Sequence, residues 1–158
     1  SCAHSYVDWA DEYESGDDVV NGVTVHRLRV IEPRSDLLFA PLHSKVMERP
    51  RSLPYFEQQR WARLMGPQLH AMESWLLGNA NGFDVVVFMT YLYTTATTGL
   101  PTVAGRVPTI LQPTAHDEPP AYVGLYHALF RQPDAFLFFT PEERQVVRDI
   151  YHRDGSGR

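Results

Sequence analysis

One short stretch of the sequence, TAHDEPP at residues 114–120, contains three consecutive titratable side chains beside two prolines. It places His116, Asp117 and Glu118 between an apolar run and a pattern typical of a helix. An imidazole can donate or accept a hydrogen bond near neutral pH, and a neighbouring carboxylate can orient the loop or contact a substrate hydroxyl. These three residues therefore form a candidate site for acid–base or polar substrate-binding chemistry.

Three short apolar runs have the character of buried strands in a parallel sheet. They are FDVVVFM, VPTILQ and AFLFF, at residues 83–89, 107–112 and 135–139. Each is too continuously apolar for a sheet with one face in water. Segments with helical spacing separate the runs, and this strand–helix–strand order is typical of an α/β fold. We therefore expect an α/β domain with a mostly parallel sheet.

Polar residues follow all three apolar runs. Thr90 and Tyr91 come after the first, TAHDEPP comes after the second, and Thr140 opens the polar segment after the third. Ligands of open parallel sheets bind beyond the carboxyl ends of the strands. The sequence therefore predicts a site along one rim of the sheet, with Thr90 and Tyr91 beside the titratable residues.

Each of these side chains also has a structural interpretation. His116 could bond a neighbouring carbonyl group, and Asp117 and Glu118 could lie at the start of a helix, where the dipole favours negative charge. Thr140 and Glu143 are expected to cap the last helix in a reciprocal capping box. Neighbours in sequence rarely point at one ion, so no metal site is predicted.

The amino-terminal half contains less distinctive elements. Residues 22–31 alternate after the turn signal Asn21-Gly22 and should form a strand. Residues 35–48 have helical spacing that Pro41 interrupts, which predicts a short or broken helix. A further helix is expected over residues 68–77.

Composition narrows the class of protein. The 158 residues, 44% of them hydrophobic, fit one compact domain. The tail DGSGR is expected to be either a domain boundary or a cut. A net charge of -5 without a basic cluster argues against a nucleic-acid partner. Cys2 is the only cysteine, so it cannot form a disulfide within the chain. With no apolar run of bilayer length and no signal-peptide pattern, a cytoplasmic location is expected.

Common catalytic fingerprints are missing from the sequence. It contains no GxGxxG, no GxxxxGK[ST] and no GxSxG motif. This argues against a dehydrogenase, a P-loop enzyme and an α/β-hydrolase. A hydrolase built on His116 and Asp117 would also lack a nucleophile.

The order of segments resembles the amino-terminal half of bacterial group-1 (family 4) glycosyltransferases of the GT-B fold. The resemblance runs from SCAHSYVDWADEY through FDVVVFMTYLYTTATTGLP over nearly the whole chain, and TAHDEPP and TPEERQVV carry most of it. It implies a Rossmann-like, three-layer domain that accommodates the acceptor. A second domain of such enzymes binds the nucleotide-sugar.

The resemblance also implies roles for particular residues. His116 would be the catalytic residue near the reacting sugar carbon, and Thr90, Tyr91, Asp117 and Glu118 would bind the acceptor, which is a glycan, a polyol or a lipid-linked compound. No cofactor or metal is implied, because the nucleotide-sugar is a substrate.

Two parts of the family pattern are not found in the sequence. These are the first βαβ unit and the donor-binding domain with its two glutamates separated by seven residues. The expectation is therefore that residues 1–158 form the acceptor-side domain of a retaining glycosyltransferase, inactive by itself.

A second hypothesis belongs to another class of protein. The chain could be a non-catalytic α/β interaction or regulatory domain that forms a homodimer through an exposed sheet edge. Saturable binding of a polyol at His116 would favour the transferase domain. Self-association without a response to ligands would favour the interaction domain.

Overall fold

The computed structural model describes residues 1–154, so most of the predicted tail, residues 155–158, lies outside the described residues. Two sheets and a set of mostly short helices make up the described chain. The strands are β1 (Gly16–Val20), β2 (Val23–Arg27), β3 (Val86–Met89), β4 (Thr109–Gln112) and β5 (Ala135–Phe136). The α-helices are α1 (Asp36–Glu48), α2 (Tyr55–Met65), α3 (Met72–Asn79), α4 (Thr94–Thr97), α5 (Gly99–Val103), α6 (Leu125–Leu129) and α7 (Pro141–Tyr151).

Strands β3, β4 and β5 form a parallel sheet with β4 in the middle. The register places Phe88 beside Leu111 and Leu111 beside Phe136. This confirms the α/β fold with a parallel sheet that the three apolar runs predict. The strands are shorter than the runs, and β5 keeps only its first two residues because the chain leaves the sheet before Phe138.

The side of the parallel sheet that carries Phe88 and Leu111 faces the hydrophobic core. Phe88 and Leu111 point into the core, and a Cβ added to Gly99 of α5 would lie 2.8 Å from the Phe88 ring. Val87 and Met89 alternate with these residues and are 47% and 58% exposed. The prediction that residues 83–89 are fully buried is therefore wrong. In the middle strand the residues on that side are less exposed, since Gln112, the partner of Met89, is buried.

Helix α1 is continuous, contrary to the short or broken helix predicted from its proline. Pro41 lies within the helix but is exposed, whereas Leu42 and Val46 are buried. Proline removes one helical hydrogen bond. On the exposed side the carbonyl left without that bond can be solvated, and burial of the opposite side holds the helix together.

Helix α3 begins four residues later than predicted, at Met72. The preceding residues are used in another way, because Leu69 forms a β-bridge with Val30. The N–H of Ile31 donates to the carbonyl of Gln68 at 2.7 Å, next to this bridge. Because these backbone groups bond to residues 30 and 31, they are not free to form a helical turn, and the helix begins further along the chain.

The predicted strand at residues 22–31 is confirmed over Val23–Arg27, and it pairs in antiparallel fashion with Gly16–Val20. Asn21 and Gly22 form the turn, with φ of 50° and 81°. Two positive φ values match the twist of a hairpin, which explains why Asn-Gly is favoured there. The partner strand was not predicted because its acidic sequence GDDVV has a weak strand pattern.

Candidate functional site

The loops after β3 and β4 meet at the carboxyl ends of these strands, as the sequence predicts. Thr90 and Thr114 occupy equivalent places in the two loops, and their hydroxyl groups lie 3.2 Å apart within hydrogen-bond distance. Both residues have left-handed backbone conformations, with φ of 65° and 54°. A β-branched residue is rarely found there, and such strain accumulates at functional sites. This pair marks the strand-end site.

A buried carboxylate fixes the loop that carries His116. Oε1 of Glu143 accepts a hydrogen bond from the N–H of Ala115 at 3.0 Å, and Oε2 accepts one from the N–H of Phe139 at 2.7 Å. The hydroxyl of Thr140 caps α7 by accepting from the N–H of Glu143, as predicted. The reciprocal half of the capping box is wrong, because the carboxylate joins two strand-end loops instead.

His116 follows the anchored residue Ala115 directly and is exposed. The carbonyl of His116 accepts from the N–H of Glu118 at 2.9 Å, which tightens the turn. Its imidazole makes no hydrogen bond with any residue of the described chain. The ring is thus held at the rim by its backbone while both ring nitrogens stay available to a ligand.

Asp117 is also exposed, but one of its oxygens has a partner. The hydroxyl of Tyr122 donates to Oδ1 of Asp117 at 2.5 Å. This hydrogen bond raises the pKa of the Tyr122 hydroxyl. The guanidinium of Arg51 lies over the same tyrosine ring, 4.3 Å from its centre. Asp117 therefore helps to order the loop.

Tyr91 lies in the core and not on the surface predicted for it. Its side chain has no exposed area, and its ring packs against Tyr126 and Phe130 with centroids 4.8 and 5.6 Å away. Its hydroxyl is buried without a hydrogen-bond partner among the described residues. Burial raises the pKa of this hydroxyl well above its usual range. These aromatic rings enclose the side chain of Tyr91, so it cannot contact an acceptor directly in this conformation.

Glu118 is half-buried and belongs to a group of side chains that the sequence did not connect. Its carboxylate acts on the pKa of His43, which lies on α1 far away in sequence. Burial lowers the pKa of the His43 imidazole, the charge of Arg34 lowers it further, and Glu118 opposes both. Glu118 and Arg34 also act on the hydroxyl of Tyr93, whose pKa burial raises. These four residues extend the polar rim towards α1.

Arg34 is the cation of this extended rim. Its Nε donates to the carbonyl of Val7 at 2.8 Å, and its guanidinium lies 4.6 Å from the centre of the Phe39 ring. Partial burial lowers its pKa. Arginine stacked in this way presents its terminal nitrogens in a fixed orientation. No motif in the sequence pointed to these two residues, because Arg34 lies in the connection before α1 and His43 lies in a segment with ordinary helical spacing.

A groove of about 970 Å³ lies on the helical side of the molecule. Parts of α2, α3, α4 and α6 line it, with Ala62, Met72 and Leu129 among the apolar residues. His116, Asp117 and Glu118 do not line this groove. The strand-end site is therefore a separate, open surface.

Two further properties bear on the chemistry of the chain. Among residues 1–154, no cluster of three or more His, Cys, Asp or Glu side chains has the arrangement to hold a metal ion. In the same residues, no helix has both the length and the apolar character needed to cross a membrane.

Comparison with models of known protein families, with curated proteins and with solved structures found no match. Function is therefore inferred from the residues themselves and from their geometry.

Proposed function

We propose that this chain is the acceptor-side domain of a retaining glycosyltransferase, which moves a sugar from a nucleotide-sugar to an acceptor hydroxyl. The observation that carries the proposal is the strand-end site. Two strained threonines at the ends of β3 and β4 hold their hydroxyls together, and the exposed imidazole of His116 follows immediately. A polar rim at the carboxyl ends of parallel strands is where ligands of such sheets bind.

The side chains of the rim suit an acceptor that carries several hydroxyl groups. Thr90 and Thr114 offer hydroxyls, and Asp117 and Glu118 offer carboxylate oxygens that can accept from a polyol. His116 would lie beside the reacting hydroxyl and accept or donate its hydrogen bond during transfer. The acceptor would be a glycan, a polyol or a lipid-linked compound.

The nucleotide-sugar would be bound mainly by a second domain, as in the enzymes that the sequence resembles. That domain would also stabilise the negative charge of the departing diphosphate, because preorganised donors act most strongly where charge develops. The present chain would supply the acceptor and His116. On this proposal the isolated chain has no transferase activity and works in the cytoplasm.

Binding to the chain itself gives the first test. Amide signals of isotopically labelled protein would be followed by NMR during titration with glucose and with glycerol. We expect saturable shifts at Thr90, Thr114 and residues 115–118, weakened in His116→Ala. The matched control is His70→Ala, which removes another exposed imidazole. His70 lies two residues before α3 begins. Shifts confined to other regions, or an unchanged response in His116→Ala, would count against the site.

Turnover gives the second test, in the intact enzyme that the proposal implies. His116→Ala should lower kcat by roughly 10²- to 10⁴-fold, the usual contribution of a positioned acid–base group. His70→Ala should leave kcat unchanged. Equal activity of the two variants would remove His116 from the mechanism.

The alternative function, a non-catalytic interaction domain, has one observation in its favour. The N–H groups of Val86 and Thr90 donate to the carbonyls of Pro108, just before β4, and Gln112, at its end. In a parallel ladder the backbone groups of the intervening residues Val87 and Met89 then point to the free edge of β3. Such an edge can pair with another strand. Self-association with no response to polyols would favour this function.

A further inference from the structure

Arg34 is a half-buried cation that forms no ion pair with any residue of the described chain, 1–154. Within the same residues its side chain makes one hydrogen bond, from Nε to the carbonyl of Val7 at 2.8 Å, so the two terminal nitrogens are left without a partner there. Partly buried charges are normally paired, because taking a charge out of water is costly. Arg27, which is also half-buried, has such a partner, since its Nη1 lies 2.9 Å from Oδ2 of Asp18. The unpaired nitrogens of Arg34 therefore point to a ligand.

Two aromatic rings hold the guanidinium of Arg34 in place. Its Cζ lies 4.6 Å from the centre of the Phe39 ring and 5.9 Å from the centre of the Trp9 ring. Trp9 is fixed in turn, because its indole N–H donates to the carbonyl of Met65 at 2.8 Å. A planar guanidinium held in this way offers its terminal N–H groups as a preformed fork for two oxygens of one anion.

The loop after β3 connects this guanidinium to the strand-end site. Tyr93 belongs to that loop and packs edge-on against Trp9, the ring that also contacts Arg34, with centroids 5.3 Å apart. Tyr93 is half-buried, and its hydroxyl has no hydrogen-bond partner in residues 1–154. Thr90 lies three residues earlier in the same loop and carries a hydroxyl of the strand-end site. The site thus continues along one loop to the Tyr93 hydroxyl and the Arg34 guanidinium.

Three carboxylates surround this position without occupying the fork. Asp8 and Asp36 are exposed, and their charges act on the pKa of Arg34, but neither forms an ion pair with it. Oδ1 of Asp8 accepts from the N–H of Ala10 instead. Glu118 is the third and acts on the pKa of the Tyr93 hydroxyl. These acids weaken the attraction of an anion to Arg34, but they leave its terminal nitrogens free to bind one.

We infer that Arg34 and Tyr93 bind a negatively charged group of the acceptor, either a phosphate or a carboxylate. The inference rests on the proposed transferase function and names the class of its substrate, an anionic sugar or polyol whose hydroxyl groups lie at Thr90 and His116. Two oxygens of the anion accept from the guanidinium fork, and the Tyr93 hydroxyl donates to the same group. A neutral polyol would occupy only the strand-end part of the site.

Three sugars with the same ring test this inference in an NMR titration of the labelled chain: glucose, glucose 6-phosphate and glucuronate. At least one charged sugar should bind about tenfold or more tightly than glucose, because charge-assisted hydrogen bonds are roughly twice as strong as neutral ones. The sugar that gains affinity identifies the anion as phosphate or carboxylate. Its amide shifts should include Arg34 and Tyr93 as well as residues 114–118.

Two substitutions of Arg34 and one control show whether this residue is responsible. Arg34→Met removes the charge but keeps an unbranched chain between the rings, and it should reduce the preference for the charged sugar to less than about twofold. Arg34→Lys keeps the charge without the planar fork and should retain only part of the preference. Arg106→Met is the matched control, since Arg106 is exposed and lies before β4, at the other end of the strands. It should keep the full preference, and circular dichroism would check that each variant is folded.

The outcomes separate this inference from the proposed function. Equal affinity for all three sugars, with glucose shifts at residues 114–118, would overturn the anion site and leave the function standing. A full preference in either Arg34 variant would also overturn it, and Arg34→Lys decides if Arg34→Met does not fold. Charged sugars that shift Arg34 and Tyr93 but not residues 114–118 would support the anion site and count against the transferase. No saturable shift with any of the sugars would overturn both.

Discussion

The carboxylate of Glu143 accepts a hydrogen bond from the N–H of Ala115 at 3.0 Å, which ties α7 to the loop after β4. The other carboxylate oxygen binds the N–H of Phe139. Glu143 is buried, so both oxygens satisfy backbone donors that water does not reach. One side chain of α7 thus sets the position of the residue before His116.

Glu143→Gln should destabilise the domain, because an amide offers one acceptor where the carboxylate offers two. The amide nitrogen would face a backbone N–H, and leaving a buried donor without a partner costs about 1–3 kcal/mol. For a domain of this size that lowers Tm by very roughly 2–12 °C. Thermal unfolding followed by circular dichroism would measure the change.

The adjacent residue gives the control for this prediction. Glu142 is the same type of residue and also lies in the first turn of α7, but it is exposed. Glu142→Gln should change Tm only slightly, since exposed substitutions usually stay within about 0.5 kcal/mol. Equal losses of Tm in the two variants would point to the helix dipole and not to the Ala115 contact.

Two substitutions of Thr90 should have different effects on the free energy of unfolding. Its φ of 65° is unfavourable for a β-branched side chain and tolerable for asparagine. Thr90→Asn should therefore hold or raise stability, while Thr90→Val keeps the strain and loses the hydroxyl that meets Thr114. We expect the two variants to differ by about 1 kcal/mol in the free energy of unfolding measured with urea. A valine variant at least as stable as the asparagine variant would contradict the strain at this position.

Much of the framework could be predicted from sequence because it depends on local patterns. The three apolar runs predicted the parallel strands, and the Asn21-Gly22 turn and the Thr140 cap are short-range signals. The error at residues 83–89 had a different origin. Strand periodicity cannot tell whether a helix covers the second face of a sheet, because that depends on elements elsewhere in the chain.

The candidate site was predictable only in part, for a similar reason. Thr90 and Thr114 follow strands in sequence, so the parallel sheet brought them together as expected. His43 on α1 and Arg34 just before that helix reach the same rim through tertiary packing, which no local pattern records. Glu143 looked like a capping residue because the sequence around it fits a capping box, and only the fold shows its contact with Ala115.

The pKa of His43 offers a test of this extended rim. Arg34 lowers the pKa of the imidazole and Glu118 raises it. Arg34→Met should therefore raise the pKa of His43, and Glu118→Gln should lower it. NMR titration of the ring protons would measure both, and the opposite signs make each variant the control of the other. Two pKa shifts of the same sign, or no shift, would show that Arg34 and Glu118 do not act on His43 in the way described.

The same pKa makes stability depend on pH. Burial lowers the pKa of His43 in the folded state, so the unfolded chain takes up its proton first as the pH falls. The contribution of His43 is therefore complete above the unfolded pKa of about 6.5 and declines as the pH falls through the folded value. Burial also lowers the pKa of His127, which adds an effect of the same sign. Tm should fall between about pH 7.5 and about pH 5.

Replacing the two histidines separates their effects on this pH dependence. His43→Gln and His127→Gln should each reduce the loss of Tm on acidification, and the double variant should reduce it most. Each imidazole is removed from both the folded and the unfolded state, so the difference between the two pKa values disappears. A His43→Gln variant with the full wild-type loss would show that His43 does not titrate as described.

Tyr91→Phe should stabilise the domain, since the hydroxyl of Tyr91 is buried without a hydrogen-bond partner among the described residues. Removing an unsatisfied buried hydroxyl relieves a desolvation cost of about 1–3 kcal/mol, while the ring keeps its packing. Tyr126→Phe is the matched control, because the hydroxyl of Tyr126 donates to the carbonyl of Leu92 at 3.2 Å and its loss should destabilise. Urea unfolding of both variants would measure the two effects. If Tyr91→Phe proved the less stable of the pair, the Tyr91 hydroxyl would have a hydrogen-bond partner in solution. The conclusion that Tyr91 does not reach the acceptor surface would then be wrong.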